Sequence, residues 1–308
     1  MRLVTQGRER IGSSWSRGDP HIRTQMFKKS MDRDYNKEIE YLARQLSRDE
    51  SLIIKQGSAR FKELFGRLTT LYLFYRYLAE RGIANNAPKG VRILYAKLAD
   101  SLIGILRLLQ AGHPGPATIV LRSLFETSVN LQIILMGNVQ ERSKLFEDFL
   151  FIQRINYSNK PSISDQQRNE NELRLREVRA NYHPKYPNSW CWKIVPSKNT
   201  RKGVHNNPTF KELCEYIGHP ERYDIYGDLS YSTHPVPSYE GWMRRDDGHI
   251  ELGSQFGHQI VGVAKISIAY AAESLIKIIQ FLKPEDKAYL INCIVYLIPK
   301  KKDRPVTK

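Results

Sequence analysis

The nineteen residues from Ala117 to Leu135 constrain the fold more than any other part of the chain. Read at the helical period they are apolar almost all the way round, and a helix of that kind is buried by its neighbours. Two charges interrupt it. Arg122 and Glu126 stand four residues apart, so they share one face and can pair. A charge taken out of water must be paired or it destabilises the fold severely. A second polar set, Tyr226, Ser230 and His234, repeats the four-residue spacing further along. If the two sets meet inside a helical bundle, the chain has a site.

The rest of the sequence supplies the helices that such a bundle needs. Tyr35 to Lys55 places Ile39, Leu42, Leu46 and Ile53 on one stripe, and Ser58 to Glu80 does the same with Phe61, Leu64, Phe65, Leu68, Leu71, Tyr72 and Tyr75. Gly82 fits a helix stop. Ala87-Pro88 opens a helix through Val91, Leu94, Leu98, Leu102, Ile105 and Leu109, and two glycines and two prolines between 112 and 116 break it. The Arg122 helix then runs to about Gly137. An amphipathic helix follows from about Val139 to Tyr157, and a charged, exposed one within 158–182. Residues 183–207 form a long loop rich in Pro, Asn and aromatics, including Trp190 and Trp192, and a loop of that length carries function or covers something. Pro208 at an N1-like position starts a short helix to Ile217. Another spans Pro220 to Thr233, residues 238–252 hold turn chemistry, and the last long helix covers Ser254 to Leu282. Strand alternation is scarce. The expected class is all-α: an antiparallel helical bundle, an extra N-terminal helical pair and a long aromatic loop. The expected divisions are a disordered basic segment 1–30, the helical pair 31–86, the bundle core 87–283, and a short helix with a basic tail over 284–308.

Charge narrows the partners. The net charge is +16 at pH 7, but residues 1–30 carry +5 and residues 299–308 carry +4, which leaves +7 for the body. Basic ends give weak, salt-sensitive affinity for RNA or another polyanion, or they are simply solvated. No run of 18 apolar residues is uninterrupted, so no membrane partner is expected. Three scattered cysteines suit neither a disulfide framework nor a zinc cluster, which points to a reducing, cytoplasmic setting with no metal and no cofactor. Phosphate loops, dinucleotide glycine fingerprints and zinc-protease motifs are absent, against a nucleotide hydrolase, a dehydrogenase or a zinc protease. A homodimer is one expectation for such a bundle.

Three groups can carry chemistry. Arg122, held by Glu126, is a fixed guanidinium able to face a phosphate or a developing negative charge; the same pair also serves to fix helix register. His234 precedes Pro235 and so falls at a helix C-terminus, where the dipole favours its charged form and where it can act as general acid or base. A histidine there can equally cap the last carbonyls. Tyr226 and Ser230 would orient it or a phosphate. Trp190 could stack on a base, or pin the loop to the bundle.

At these residues the chain resembles a bacterial family of helical domains of unknown function, number 5677. The shared pattern is Ala111-Gly112 with Ala117, Leu121-Arg122 with Glu126, Trp190, then Phe210 to Gly218, then Tyr223, Tyr226, Ser230 and His234-Pro235. It covers roughly residues 90 to 280, and it implies a helical domain whose polar marks are this Arg, Glu, Ser and His. More distantly the chain is similar to HEPN-like helical ribonucleases, which use an Arg and a His separated by four to six residues. Arg107 with His113, Arg176 with His183 and Arg244 with His249 fit that spacing.

The leading expectation is an RNA-acting protein, a metal-independent endoribonuclease of the stress or phage-defence type, with His234, Arg122 and Glu126 catalytic and Tyr226, Ser230 and Trp190 binding substrate. The alternatives are a non-catalytic helical interaction or nucleic-acid-binding module with a structural Arg–Glu pair, and a sensor of a small nucleotide-like ligand.

Overall fold

The computed structural model describes residues 57–157, 164–179, 190–198, 207–231 and 257–299, together with isolated positions between 41 and 55. The chain divides into two units, Met1–Leu52 and Ile53–Lys308. In the first, Tyr41, Arg44, Ser47, Arg48 and Ser51 are helical, and the Ser51 hydroxyl donates to the Ser47 carbonyl at 2.8 Å. Ile39, Leu42, Leu46 and Ile53, the stripe expected there, lie outside the described residues.

The second unit is all-helical among the described residues. Its α-helices are α1 (Lys62–Glu80), α2 (Lys89–Gln110), α3 (Pro114–Leu135), α4 (Val139–Tyr157), α5 (Asp165–Arg179), α6 (Phe210–Tyr216), α7 (Arg222–Tyr231), α8 (Gly257–Leu282) and α9 (Lys287–Leu297). A 3-10 turn, Ile83–Asn86, links α1 to α2. The spacing of apolar residues decides what each helix buries. On α2 the buried set includes Val91, Leu94, Leu98, Leu102, Ile105 and Leu109, every residue of the stripe read from sequence. On α1 it is Phe65, Leu68, Leu71, Tyr75 and Leu78. Residues 57–60 are also helical, as the pattern from Ser58 predicts, and Phe61 (φ −109°, ψ 23°) stands between them and α1 with its amide bonded to the Gly57 carbonyl and its carbonyl to the Phe65 amide. Gly82 (φ 69°) and Gly112 (φ 76°) end their helices in left-handed backbone that a side chain would strain.

α3 lies in the middle. It packs against α2, α8, α4, α6 and α7, and thirteen of its residues are buried on several sides of the helix. α1 packs on α2 and α8, and α8 also carries α9. Buried polar side chains set register between these helices. The Tyr75 hydroxyl donates to the Ala271 carbonyl at 2.9 Å, joining α1 to α8, and the Tyr95 hydroxyl donates to the Tyr75 carbonyl. Ser274 donates to Ser128 at 2.8 Å, joining α8 to α3. Each satisfies a group whose burial would otherwise cost about 1–3 kcal/mol. α3 and residues Gln259–Leu282 of α8 are long and apolar enough to cross a membrane by length and composition; here they pack against each other and against further helices.

The chain enters α6 differently from the sequence expectation. Thr209, not Pro208, shapes the start. Its hydroxyl accepts from the Glu212 amide, and the Glu212 carboxylate accepts from the Thr209 amide at 2.6 Å, a reciprocal cap that sets Pro208 one residue outside. The same carboxylate accepts the Lys198 amide, which ties segment 190–198 to α6.

Candidate functional site

Arg122, Glu126 and Asn130 follow one another at four-residue intervals, so they line one edge of α3. This edge faces out of the core. The Arg122 side chain is 25% exposed and that of Glu126 is 38% exposed, so the pair expected in the interior stands at its boundary. An apolar circumference does not bury every position: Leu121, Leu124 and Phe125 point inward, and the polar edge takes the one seam left open.

Of the second polar set, Tyr226 meets Arg122. The Arg122 Nε donates to Glu126 Oε1 at 3.1 Å, and Nη2 donates to the Tyr226 hydroxyl at 2.7 Å. The guanidinium carbon also sits 4.9 Å from the Tyr226 ring centroid. α3 and α7 are therefore joined by a charge-assisted hydrogen bond across 104 residues of sequence. Burial alone would lower the Arg122 pKa, but the Tyr226 and Glu126 contacts outweigh it and hold the pKa above the usual arginine value.

Ser230 lies one turn beyond Tyr226 on α7 and donates to the Tyr226 carbonyl at 2.7 Å, within the helix. Trp190 is buried, with its ring edge on Phe146 at 5.5 Å, and its Nε1 donates to Asn130 Oδ1 at 2.7 Å. Asn130 in turn donates to the Glu126 carbonyl at 2.8 Å. Trp190 thus holds segment 190–198 against the same edge of α3 that holds α7. His234 lies outside the described residues, as do His183, Arg244 and His249. Arg107 and His113 are described and exposed, with Arg107 donating to Gln110 at 3.0 Å.

An aromatic ladder backs the cluster. Phe125 in the core lies 5.7 Å from Phe210, Phe210 stacks on Tyr226 at 4.1 Å, and Tyr226 stacks on Tyr223 at 6.3 Å. Sequence reasoning did not find this ladder, because it is assembled from α3, α6 and α7. It also missed a second charged group. Arg222 is buried at the start of α7, donates to Glu273 on α8 at 2.6 Å, and lies 5.2 Å from the Tyr270 ring centroid. The His219 Nε2 stands 3.8 Å from the same carboxylate. The available signal was Glu273 itself, a lone carboxylate among apolar positions of α8. Among the described residues no three His, Cys, Asp or Glu side chains are grouped to hold a metal ion.

Neither the curated proteins nor the solved structures contain a match to this chain. Residues 89–250, more than half of the sequence, match a family of unknown function, DUF5677. The match begins at α2 and takes in Arg122, Glu126, Asn130, Trp190, Tyr226, Ser230 and His234, so the chain belongs to the DUF5677 family.

Proposed function

We propose that this protein acts on RNA in a reducing, cytoplasmic setting, as a metal-independent endoribonuclease whose phosphate site is Arg122. The observation that carries the reading is a fixed guanidinium on a partly exposed side chain: Glu126 and Tyr226 hold it, and the Arg122 side chain is 25% exposed. A cation oriented in advance stabilises charge that develops on a phosphoryl group, because no reorganisation is needed during the reaction. His234 follows Tyr231, the last residue of α7, by three positions in the sequence. In this reading the 2′-oxygen attacks phosphorus and the bond from phosphorus to the 5′-oxygen breaks. The 2′-hydroxyl loses a proton and the leaving 5′-oxygen gains one; His234 moves one of these two protons and water the other, Arg122 stabilises the phosphorane, and Tyr226 and Ser230 position the phosphate.

The test is cleavage of single-stranded RNA by the purified full chain in the presence of a chelator. H234A and R122Q should each lose about 100-fold or more in rate, with unfolding free energies within about 2 kcal/mol of the parent. A parent chain that does not cleave, or an H234A variant that cleaves normally, overturns the catalytic reading. A second reading, a non-catalytic nucleic-acid-binding module, is favoured by the network itself: Arg122 has both a carboxylate and a phenol as partners, as a structural cross-link would. It predicts RNA binding without cleavage, and R122Q losses that track instability.

A further inference from the structure

The aromatic ladder has a buried end and an open end. Phe125 is fully buried, Phe210 and Tyr226 are intermediate, and Tyr223 is 38% exposed. Tyr223 and Tyr226 lie one turn apart on α7, with rings 6.3 Å apart and inclined by 29°, so the outer ring continues the stack to the surface. Its phenol contributes little to the core compared with Tyr226, which lies between Phe210 and Arg122. Two cations flank the stack. Arg122 stands over Tyr226, and the Lys211 ammonium stands 6.0 Å from the Tyr223 ring centroid. The Lys211 ammonium lies over the Tyr223 ring on a flexible stem that an incoming base can displace. The fixed guanidinium lies over the next ring of the stack, an arrangement that matches the two halves of a nucleotide. A base is held by its face, and its phosphate by a neighbouring cation.

We propose that Tyr223 is a base-stacking platform, and that the ligand of this surface is an unpaired nucleotide whose base lies on Tyr223 while its phosphate lies at Arg122. This rests on the reading of Arg122 as a phosphate site and adds the form of the substrate. Bases in a duplex already stack on one another and offer no free face, so the platform selects single strands, loops and ends. Stacking is tolerant of base identity because every base has a π-face, so the platform sets strandedness and register rather than sequence.

The experiment measures binding of the full chain to two fluorescent octamers at fixed salt: oligoadenylate, and an abasic ribose-phosphate chain of the same length. The parent should bind oligoadenylate more tightly than the abasic chain. Y223A should lose about tenfold on oligoadenylate and leave the abasic affinity unchanged, while Y223F and Y223W keep the parent's preference. R122Q should weaken both octamers alike. A Y223A variant that keeps the parent's preference, or loses affinity equally on both octamers, overturns the platform, as does a parent that binds the two equally. If R122Q leaves both affinities intact, the phosphate assignment fails instead, whatever Y223A does. The circular dichroism of Y223F reports a fold that retains the ring, so loss confined to Y223A is read against a folded control.

Discussion

Removing the Tyr226 hydroxyl tests whether the junction between α3 and α7 has the energetic weight that its geometry gives it. Y226F deletes one oxygen and keeps the ring, so the stack on Phe210 at 4.1 Å and the contact with the Arg122 guanidinium survive. What goes is a 2.7 Å hydrogen bond from an ionised donor. Such bonds contribute about 1.5–3 kcal/mol when dry. Arg122 is a quarter exposed, so water replaces part of the lost interaction, and the expected cost falls to about 1 kcal/mol. R122M removes the charge and keeps the aliphatic stem in place. It should cost about 1–2 kcal/mol, because Glu126, 38% exposed, rehydrates when its partner leaves. The double variant should then cost about 1 kcal/mol less than the two single effects together, since each removes the same bond. Urea unfolding followed by circular dichroism measures all four corners of the cycle. A coupling below about 0.3 kcal/mol, the ordinary scatter of additive sites, would refute the argument and make the contact incidental to how α7 is held.

Two further outcomes follow from burial and capping. Cys191 and Cys214 are buried, and burial pushes the Cys214 thiol up to about 11, whereas Cys293 is partly exposed; a chromogenic disulfide reagent at neutral pH should titrate Cys293 rapidly and reach the other two only after denaturant is added. Burial pushes the Glu212 carboxyl up, but the Thr209 and Lys198 amides and the Thr209 and Ser197 hydroxyls pull it further down, so its folded pKa lies below its unfolded one. It therefore stabilises the fold above the unfolded glutamate value of about 4.3, and that contribution is lost as pH falls through the depressed folded value. E212Q should be less stable than the parent by about 1–2 kcal/mol at neutral pH, with the gap closing under acid; unfolding midpoints measured against pH would show a constant gap if the carboxylate is not the cause.

The core was legible because its signal is periodic and local. The stripe on α2 from Val91 to Leu109 is readable from composition at a fixed spacing, and the packing then obeys it. The all-round apolarity of α3 likewise predicts its place among five neighbouring helices. The exposure of the Arg122 pair was not legible. Periodicity names a face, but which face stays open depends on where α6 and α7 stop, and no residue of α3 records that. The meeting of Arg122 with Tyr226 was stated only as a condition, and the ladder from Phe125 through Phe210 to Tyr223 not at all. Its members are spread over three helices and gain meaning only once those helices pack. Arg222 and Glu273 escaped for the same reason, being 51 residues apart and lacking any shared spacing. The Thr209–Glu212 pair has the spacing of a reciprocal cap, but the adjacent Pro208 carries a competing start signal one residue earlier.

Arg122 and Asn130 are both anchors, one for α7 and one for Trp190, and they stand eight positions apart on uninterrupted helix. That interval works as a phase lock. One added or deleted residue between them would turn one anchor about 100° away from the other, so only one of the two partner segments could stay docked. Chain length in this stretch is therefore under a geometric constraint of its own, separate from the choice of the residues that fill it.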